Sequence, residues 1–257
     1  TPDGIGAFNH FRRLDGWENS VYWSSSTGAH SVMGEIRKKW AELGWETGLG
    51  YPTTDENTTP DGVGRYNHFS KGASIYWSPG TGAHSVRMAI RDKWAELGWE
   101  RGLGYPTTDE TPTPDGIGAF NHFRRLDGWE NSVYWSPSTG AHSVMGEIRK
   151  KWAELGWETG LGYPTTDENT TPDGAGRYNH FRRTDGWENS VYWTPGTGAQ
   201  PVLGEIRKRW ASLGWERSWL GYPTRGEYAV PGGRRTDFQH GYAYWNAANN
   251  TVTTSGY

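Results

Sequence analysis

The side chains with chemical potential in this sequence come in repeated sets. Adjacent carboxylates stand at Asp55-Glu56, Asp109-Glu110 and Asp167-Glu168. An acid and a base could be drawn from such a pair, but neighbouring residues of an extended strand point to opposite sides. With Asp61 or Asp173 a few positions on, the same oxygens are of a kind that calcium accepts, although their spacing is not that of an EF-hand loop. Histidines recur at His10, His68, His122, His180 and His240, and again at His30, His84 and His142, where the fourth copy has Gln200. A histidine that glutamine replaces reads as a hydrogen-bonding group, because Gln donates and accepts but binds zinc poorly. No Gly-x-Ser-x-Gly elbow, His-Glu-x-x-His pair or phosphate-cradling loop occurs. A single active site needs different groups in assigned roles. Repetition of equivalent groups favours binding over catalysis, and the expectation is a chain with no catalytic residue, no metal and no cofactor.

Two further sets point to a ligand. Trp17, Trp129 and Trp187 each follow a turn glycine at a hairpin tip, beside Glu18 and Asn19, Glu130 and Asn131, and Glu188 and Asn189. Loop aromatics beside polar groups suit the apolar face of a sugar ring, with the amides and carboxylates placed to bond hydroxyls. Packing between repeats is the alternative use of the same rings. Arg65 and Arg177 alternate with Ala7 and Ala119, so two kinds of crevice are expected. The planar guanidinium fork would bond hydroxyls or an anionic group, or act as a strut.

The elements that position these groups follow from the repeat. Leu-Gly-Tyr-Pro ends at Pro52, Pro106, Pro164 and Pro223, and a Tyr-Trp pair occurs at Tyr22, Tyr76, Tyr134, Tyr192 and Tyr244. Residues 1–57 match residues 113–169 except that Ser25 becomes Pro137, so these copies share a conformation. Strand-like residues from Gly6 to Trp23 flank the turn signal Asp15-Gly16 and predict a β-hairpin; the second copy shortens the turn to Ser70-Lys71-Gly72. Val32, Ile36, Trp40 and Leu43 then fall on one face of a helix, with Gly44 as its cap and Pro201 marking its first turn in the fourth copy. The Leu-Gly-Tyr-Pro motif reads as a corner that docks one unit on the next.

Only 33% of the 257 residues are hydrophobic, while 17 are Trp and 14 Tyr, so the core must be aromatic. A net charge of −3 without a basic run argues against nucleic acid. No apolar stretch approaches a membrane span and no charged-then-apolar leader opens the chain, which reads as a soluble fragment or processed product. Cysteine is absent, so no disulfide framework is available.

The four corner motifs, preceded by Trp-x-x-Leu-Gly-Trp and followed in three copies by Thr-Thr-Asp-Glu, resemble the LGFP repeat family. The resemblance covers the chain from Thr1 to about Trp245. It implies a module of exported actinobacterial proteins that anchors them to the envelope, alone or beside an appended cell-wall enzyme domain, and five-unit versions of pseudo-five-fold, propeller-like form. The family's Phe is Tyr here throughout. The last unit is degenerate, with Tyr228-Ala229-Val230 where the acidic run would stand, so a site there is expected to be lost.

The resulting expectation is an α+β tandem repeat of five hairpin units, approximately 1–58, 59–112, 113–170, 171–230 and 231–257. A hairpin with one short helix cannot bury its own apolar face, so each unit must lean on its neighbours. The first hairpin lacks a preceding helix and the last a following one, from which a closed or nearly closed ring is inferred, with an open solenoid as the alternative. The expected function is multivalent binding of a cell-wall polysaccharide, such as arabinogalactan or the glycan of peptidoglycan, by a secreted protein. A scaffold that binds protein partners or itself is the second reading, and a glycan hydrolase the third.

Overall fold

A computed structural model describes residues 1–257. It shows how each repeat is built. The strands Gly6–Arg12 and Glu18–Ser24 form the predicted hairpin, with Phe8 opposite Tyr22 and His10 opposite Ser20. Its turn is closed by Gly16, left-handed at φ 84°, and by the Trp17 amide donating to Asp15 Oδ1 at 3.1 Å. A third strand, Gly28–Met33, adds to the second and places Tyr22 opposite His30. The backbone then turns at Gly34, φ 51°, into the helix Gly34–Glu42, which buries Ile36 and Trp40. Gly44, left-handed at φ 85°, ends it as expected, its amide on Ala41 O at 3.1 Å.

After a short helical turn, Trp45–Gly48, the corner passes close beneath the next hairpin. A Cβ on Gly50 would lie 2.3 Å from Ser70 Oγ and 2.9 Å from the Lys71 amide nitrogen, and φ there is 89°. Only glycine meets both demands. Pro52 then pairs with Phe69 at the edge of the following sheet.

The chain divides into two compact units, one of Thr1–Pro112 with Gly118–Trp135, the other of Thr113–Ile117 with Ser136–Tyr257. The first unit holds a sheet of Gly6–Arg12, Glu18–Ser24 and Gly28–Met33, and a sheet of Asn57–Thr58, Arg65–Phe69, Ala73–Ser78 and Gly82–Arg87. It also holds the hairpin of Ala119–Arg124 with residues 130–135 of the strand Glu130–Ser136, edged by Tyr105–Pro106 and Thr111–Pro112. Its longer helices are Gly34–Glu42 and Met88–Glu96, each followed by a short one, Trp45–Gly48 and Trp99–Gly102. The second unit has a sheet of Tyr163–Pro164, Asn169–Thr170, Arg177–Arg182, Glu188–Thr194 and Gly198–Leu203, and one of Pro223–Val230, Gly233–Phe238, Gly241–Asn246 and Thr251–Gly256. Its longer helices are Gly146–Glu154 and Gly204–Leu213. No helix is long and apolar enough to cross a membrane.

The closed or nearly closed, propeller-like ring of five hairpins is not what the strands build. They form five separate antiparallel sheets, and none closes on itself. The inference to a ring rested on each unit lacking a burial partner. That partner is the next repeat in sequence: the Trp40 ring lies 5.3 Å from Phe69, Trp94 5.2 Å from Phe123, Trp152 5.2 Å from Phe181 and Trp210 5.3 Å from Phe238. Burial is therefore completed between neighbours.

The helix start also moves. Val32 lies in the third strand and not on the helix; it stands four residues before Ile36, and with no loop between strand and helix it falls in helical register. Pro201 likewise sits in the strand Gly198–Leu203, opposite Val191. In other repeats the matching amide, that of Ser31, donates to Asp55 Oδ1 at 2.8 Å. Proline has no such hydrogen, and in this repeat Gly226 takes the place of the aspartate, its amide bonding Gln200 Oε1 at 3.0 Å.

Candidate functional site

The repeated acidic residues, and His30 with its counterpart Gln200, are engaged in bonds within their own repeats. Asp55 accepts the amide and hydroxyl of Ser31, at 2.8 and 3.0 Å, and Glu56 accepts the Met33 amide at 3.0 Å. The pair clamps the acidic run to the outer strand of its own repeat. Backbone and hydroxyl donors of Ser31 hold Asp55 below the usual carboxylate range, whereas burial raises Glu56. Asp61 binds the phenol of Tyr105 at 2.6 Å, and Asp173 that of Tyr222 at 2.5 Å. No group of three or more His, Cys, Asp or Glu gathers in a way that could hold a metal ion. His30 places Nε2 2.8 Å from Thr27 O, and Gln200 makes the same bond to Thr197 O at 3.0 Å.

The tip tryptophans have a different setting. In the first unit Trp17 lines a crevice of about 420 Å³ together with Arg13, Gly34, Glu56, Arg65 and Trp77. The crevice exists because residue 34 is glycine, since a Cβ there would lie 2.5 Å from Trp17 Cζ2. Arg65 stands directly across the hairpin from Trp77 and donates to Thr58 Oγ1 at 2.6 Å. The second unit repeats the arrangement in a crevice of about 340 Å³ lined by Trp187, Arg183, Glu227, Arg234 and Trp245. Arg234 stands across from Trp245 and is hydrogen-bonded through Nε to Glu227. Burial raises the Glu227 carboxyl, against the pull of Arg234. Trp17 and Trp187 remain about half exposed, at 48% and 47%. Each crevice thus pairs two indoles with an arginine and a carboxylate of adjacent repeats.

The last repeat is therefore not blank. The run after its corner is Thr224-Arg225-Gly226-Glu227, and Glu227 holds the place of Glu56. The signal was present in that register and in Arg234 opposite Trp245.

The second repeat departs from this pattern in a correlated way. Its short turn carries no tryptophan, and Met88 replaces the glycine, at φ 42° with its sulfur 3.2 Å from a Cβ built on Gly72. The crevice there, about 280 Å³, is lined by Met88, Ala89, Ile90, Glu110, Ala119 and Trp135, with one indole and no arginine. The crevices lined by Arg65 and by Ala119 thus differ in composition. Trp129 is half exposed in its unit, and Arg177 pairs with Glu168 at 3.3 Å in the other. Burial, offset by Arg177, pushes Glu168 up to about 7.

Of the residues singled out beside the tips, Asn189 lines the second crevice and Glu188 a further crevice beside the same Trp187. Glu18 and Glu188 pair with Arg37 and Arg207 at 2.6 Å, and these guanidiniums stack on Trp45 and Trp215 at 5.2 and 5.1 Å. Glu130 is exposed at the start of its strand. Asn131 and Asn189 are buried and donate to the carbonyls of Leu103 and Leu161 at 2.7 and 2.8 Å. Asn19 is half-buried at the equivalent position of the first sheet.

A direct test of this geometry is Gly204→Ala. Its Cβ would meet Trp187 Cζ3 at 1.9 Å at a left-handed φ of 42°, so the indole must leave its seat. Urea denaturation should show a loss of about 1–3 kcal/mol, and acrylamide should quench Trp187 more readily. Unchanged quenching would mean the ring does not rest on this glycine.

Comparison with protein-family profiles matches the LGFP repeat at residues 1–48, 49–102, 103–160, 161–218 and 220–257. Comparison with curated proteins gives no match. Among solved structures, TolB from Acinetobacter baumannii is similar at 12% identity, with 79% of this chain aligned, 41% of TolB covered and a TM-score of 0.17. The SapL1 lectin, solved in complex with alpha methyl fucoside, is similar at 13% identity over 98% of this chain and 80% of the lectin, with a TM-score of 0.16. At such scores neither likeness carries an argument about fold or ligand. The five profile matches run almost end to end, and the chain belongs to the LGFP repeat family.

Proposed function

We propose that this chain is a non-catalytic carbohydrate-binding module that holds a cell-wall polysaccharide at crevices between successive repeats, anchoring a secreted protein to the envelope. The observation that carries the reading is the twice-built crevice in which two indoles meet an arginine and a carboxylate: Trp17, Trp77, Arg65 and Glu56, and again Trp187, Trp245, Arg234 and Glu227. Indole faces stack on the apolar face of a pyranose or furanose ring, while the fork of the guanidinium and the carboxylate bond its hydroxyls. Neither crevice carries an excess of basic groups: Arg13 and Arg65 stand against Glu35 and Glu56 in the first, and Arg183 and Arg234 against Asp185, Glu205 and Glu227 in the second. That balance favours a neutral sugar over an anionic one. Membership of the family is in keeping with a cell-wall-associated module. Weak sites gain avidity when one chain engages a repetitive polymer at several points.

The test is binding of purified protein to insoluble actinobacterial cell wall before and after removal of arabinogalactan, with the supernatant assayed for released sugar. Retention without release, weakened about tenfold or more by Trp17→Ala with Trp187→Ala and not by Met88→Ala, is the expected result. Full retention by the double variant would remove the crevices from the mechanism, and release of sugar would make the protein a hydrolase.

A further inference from the structure

Trp187 is shared by two crevices. The one described above runs from the indole to Arg234 and Trp245 of the following repeat. Another, of about 300 Å³, runs from the same indole along its own repeat to Glu188, Arg207 and Lys208. Asp185, Gly204 and Glu205 border both, so the two adjoin, and Trp187, seated on Gly204, is their common wall. The ring is half exposed, so a chain lying in one crevice can cross it into the other.

Apart from Trp187 and two glycines, every residue lining this further crevice is charged. The charges are held in place: Glu188 pairs with Arg207 at 2.6 Å, Lys208 with Glu205 at 2.8 Å, and Asp185 with Arg183 at 3.1 Å. Each paired group keeps lone pairs or hydrogens to spare. Fixed donors and acceptors side by side suit neighbouring hydroxyls, which both donate and accept. Three carboxylates stand against two cations, which disfavours a phosphate or a uronate.

The second repeat separates this charged set from the needs of the fold. It lacks the tip tryptophan, and Gly72, Ala89 and Asp92 stand where the fourth repeat has Glu188, Glu205 and Lys208. Arg91 is retained, and it serves the fold, bonding Ser74 Oγ at 2.6 Å and stacking on Trp99 at 5.3 Å. The set returns with Trp17 in the first repeat, where Arg37 pairs with Glu18 at 2.6 Å and Lys38 with Glu35 at 3.2 Å. Exposed ion pairs add little stability, so a shared site accounts for their presence and loss with the indole better than folding does.

We propose that the charged crevice is a second subsite of the sugar site, and that Trp187 divides two consecutive residues of one neutral polysaccharide chain. One sugar lies against the paired indoles and the next on the charged groups. The proposal rests on the reading of the crevices as sugar sites and adds what they select, a run of two or more linked sugars over a single one.

The test uses the full chain carrying Trp17→Ala and Trp129→Ala, so that only the Trp187 site reports. The probes are size-separated fragments of arabinogalactan and of the glycan of peptidoglycan, from single sugars to tetrasaccharides, titrated by calorimetry. Linked sugars are expected to bind at least about tenfold more tightly than single ones. Glu188→Gln with Lys208→Ala removes one charge of each sign, and it should erase that gain while single-sugar binding stays as it was. Lys208→Ala alone, at a side chain 73% exposed, should keep the parent's melting temperature and still lose part of the gain. Equal affinity for one sugar and for several, or a gain untouched by the double variant, would overturn the proposal while leaving sugar binding in place. Failure of every fragment to bind would remove the sugar reading and this proposal with it.

Discussion

Trp94→Ala is expected to lower the stability of the protein by about 3–5 kcal/mol, more than any surface substitution discussed. The side chain is fully buried and its ring meets Tyr76 edge-on at 4.6 Å, Trp99 edge-on at 5.1 Å and Phe123 at 5.2 Å. Its indole nitrogen donates to Gly104 O at 3.2 Å. Truncation therefore empties a large volume, strands a buried carbonyl and releases the contact by which one repeat holds the next. Because coupling runs between neighbours, the loss should also lower cooperativity. Urea unfolding should show both a reduced midpoint and a shallower slope. Trp23→Ala is the control, since that ring is nearly half exposed, and it should cost well under half as much. Equal losses for the two would mean that the helix tryptophan is not the joint between repeats.

How much of this was legible depended on how far a signal reaches along the chain. The hairpin turn at Asp15-Gly16, the cap at Gly44 and the corner at Gly50 each announce themselves through a residue whose left-handed backbone serves a local need, and all three stand where the sequence placed them. The third strand did not, because Val32 lies four residues before Ile36 and the helical period absorbed it. The alternation of Arg65 and Ala119 was legible, yet the opposing indoles, Trp77 and Trp245, were not read as site residues. They come from the repeat after the one that bears the tip, and nothing local marks them. The correlated changes are visible once the fold is known. Loss of the tip tryptophan accompanies Met88 for glycine, and Pro201 accompanies Gly226 for aspartate. The ring was inferred from what a unit lacks, and pairwise burial between neighbours supplies what was lacking without closing any sheet.

Acidification is expected to unfold this protein through its hairpin histidines. His68 Nδ1 lies 2.7 Å from Ser74 Oγ, and the same oxygen accepts from Arg91 Nε at 2.6 Å. The guanidinium takes one of the serine's two acceptor sites and leaves its hydrogen free to point at the imidazole, an arrangement that the neutral ring satisfies. His180, Ser190 and Arg207 form the same chain at 2.7 and 2.7 Å. Burial first, and then the adjacent guanidinium, lowers both histidines to about 4. The unfolded chain takes up these protons near pH 6.5 and the folded one only near 4, so stability is fully present above 6.5 and is lost as pH falls through that window. Each site should contribute on the order of 2–3 kcal/mol. Buried carboxyls act in the opposite sense. Glu168 near 7, with Glu100, Glu158 and Glu216 also raised by burial, favours the folded state as acid is added. The histidine share is isolated by difference. His68→Gln with His180→Gln removes the titration while keeping a hydrogen-bonding side chain, as Gln200 does at the other histidine position. The melting temperature of the parent should fall much more steeply than that of the double variant between pH 7.5 and pH 4.5, and parallel profiles would show that these imidazoles do not carry the acid sensitivity.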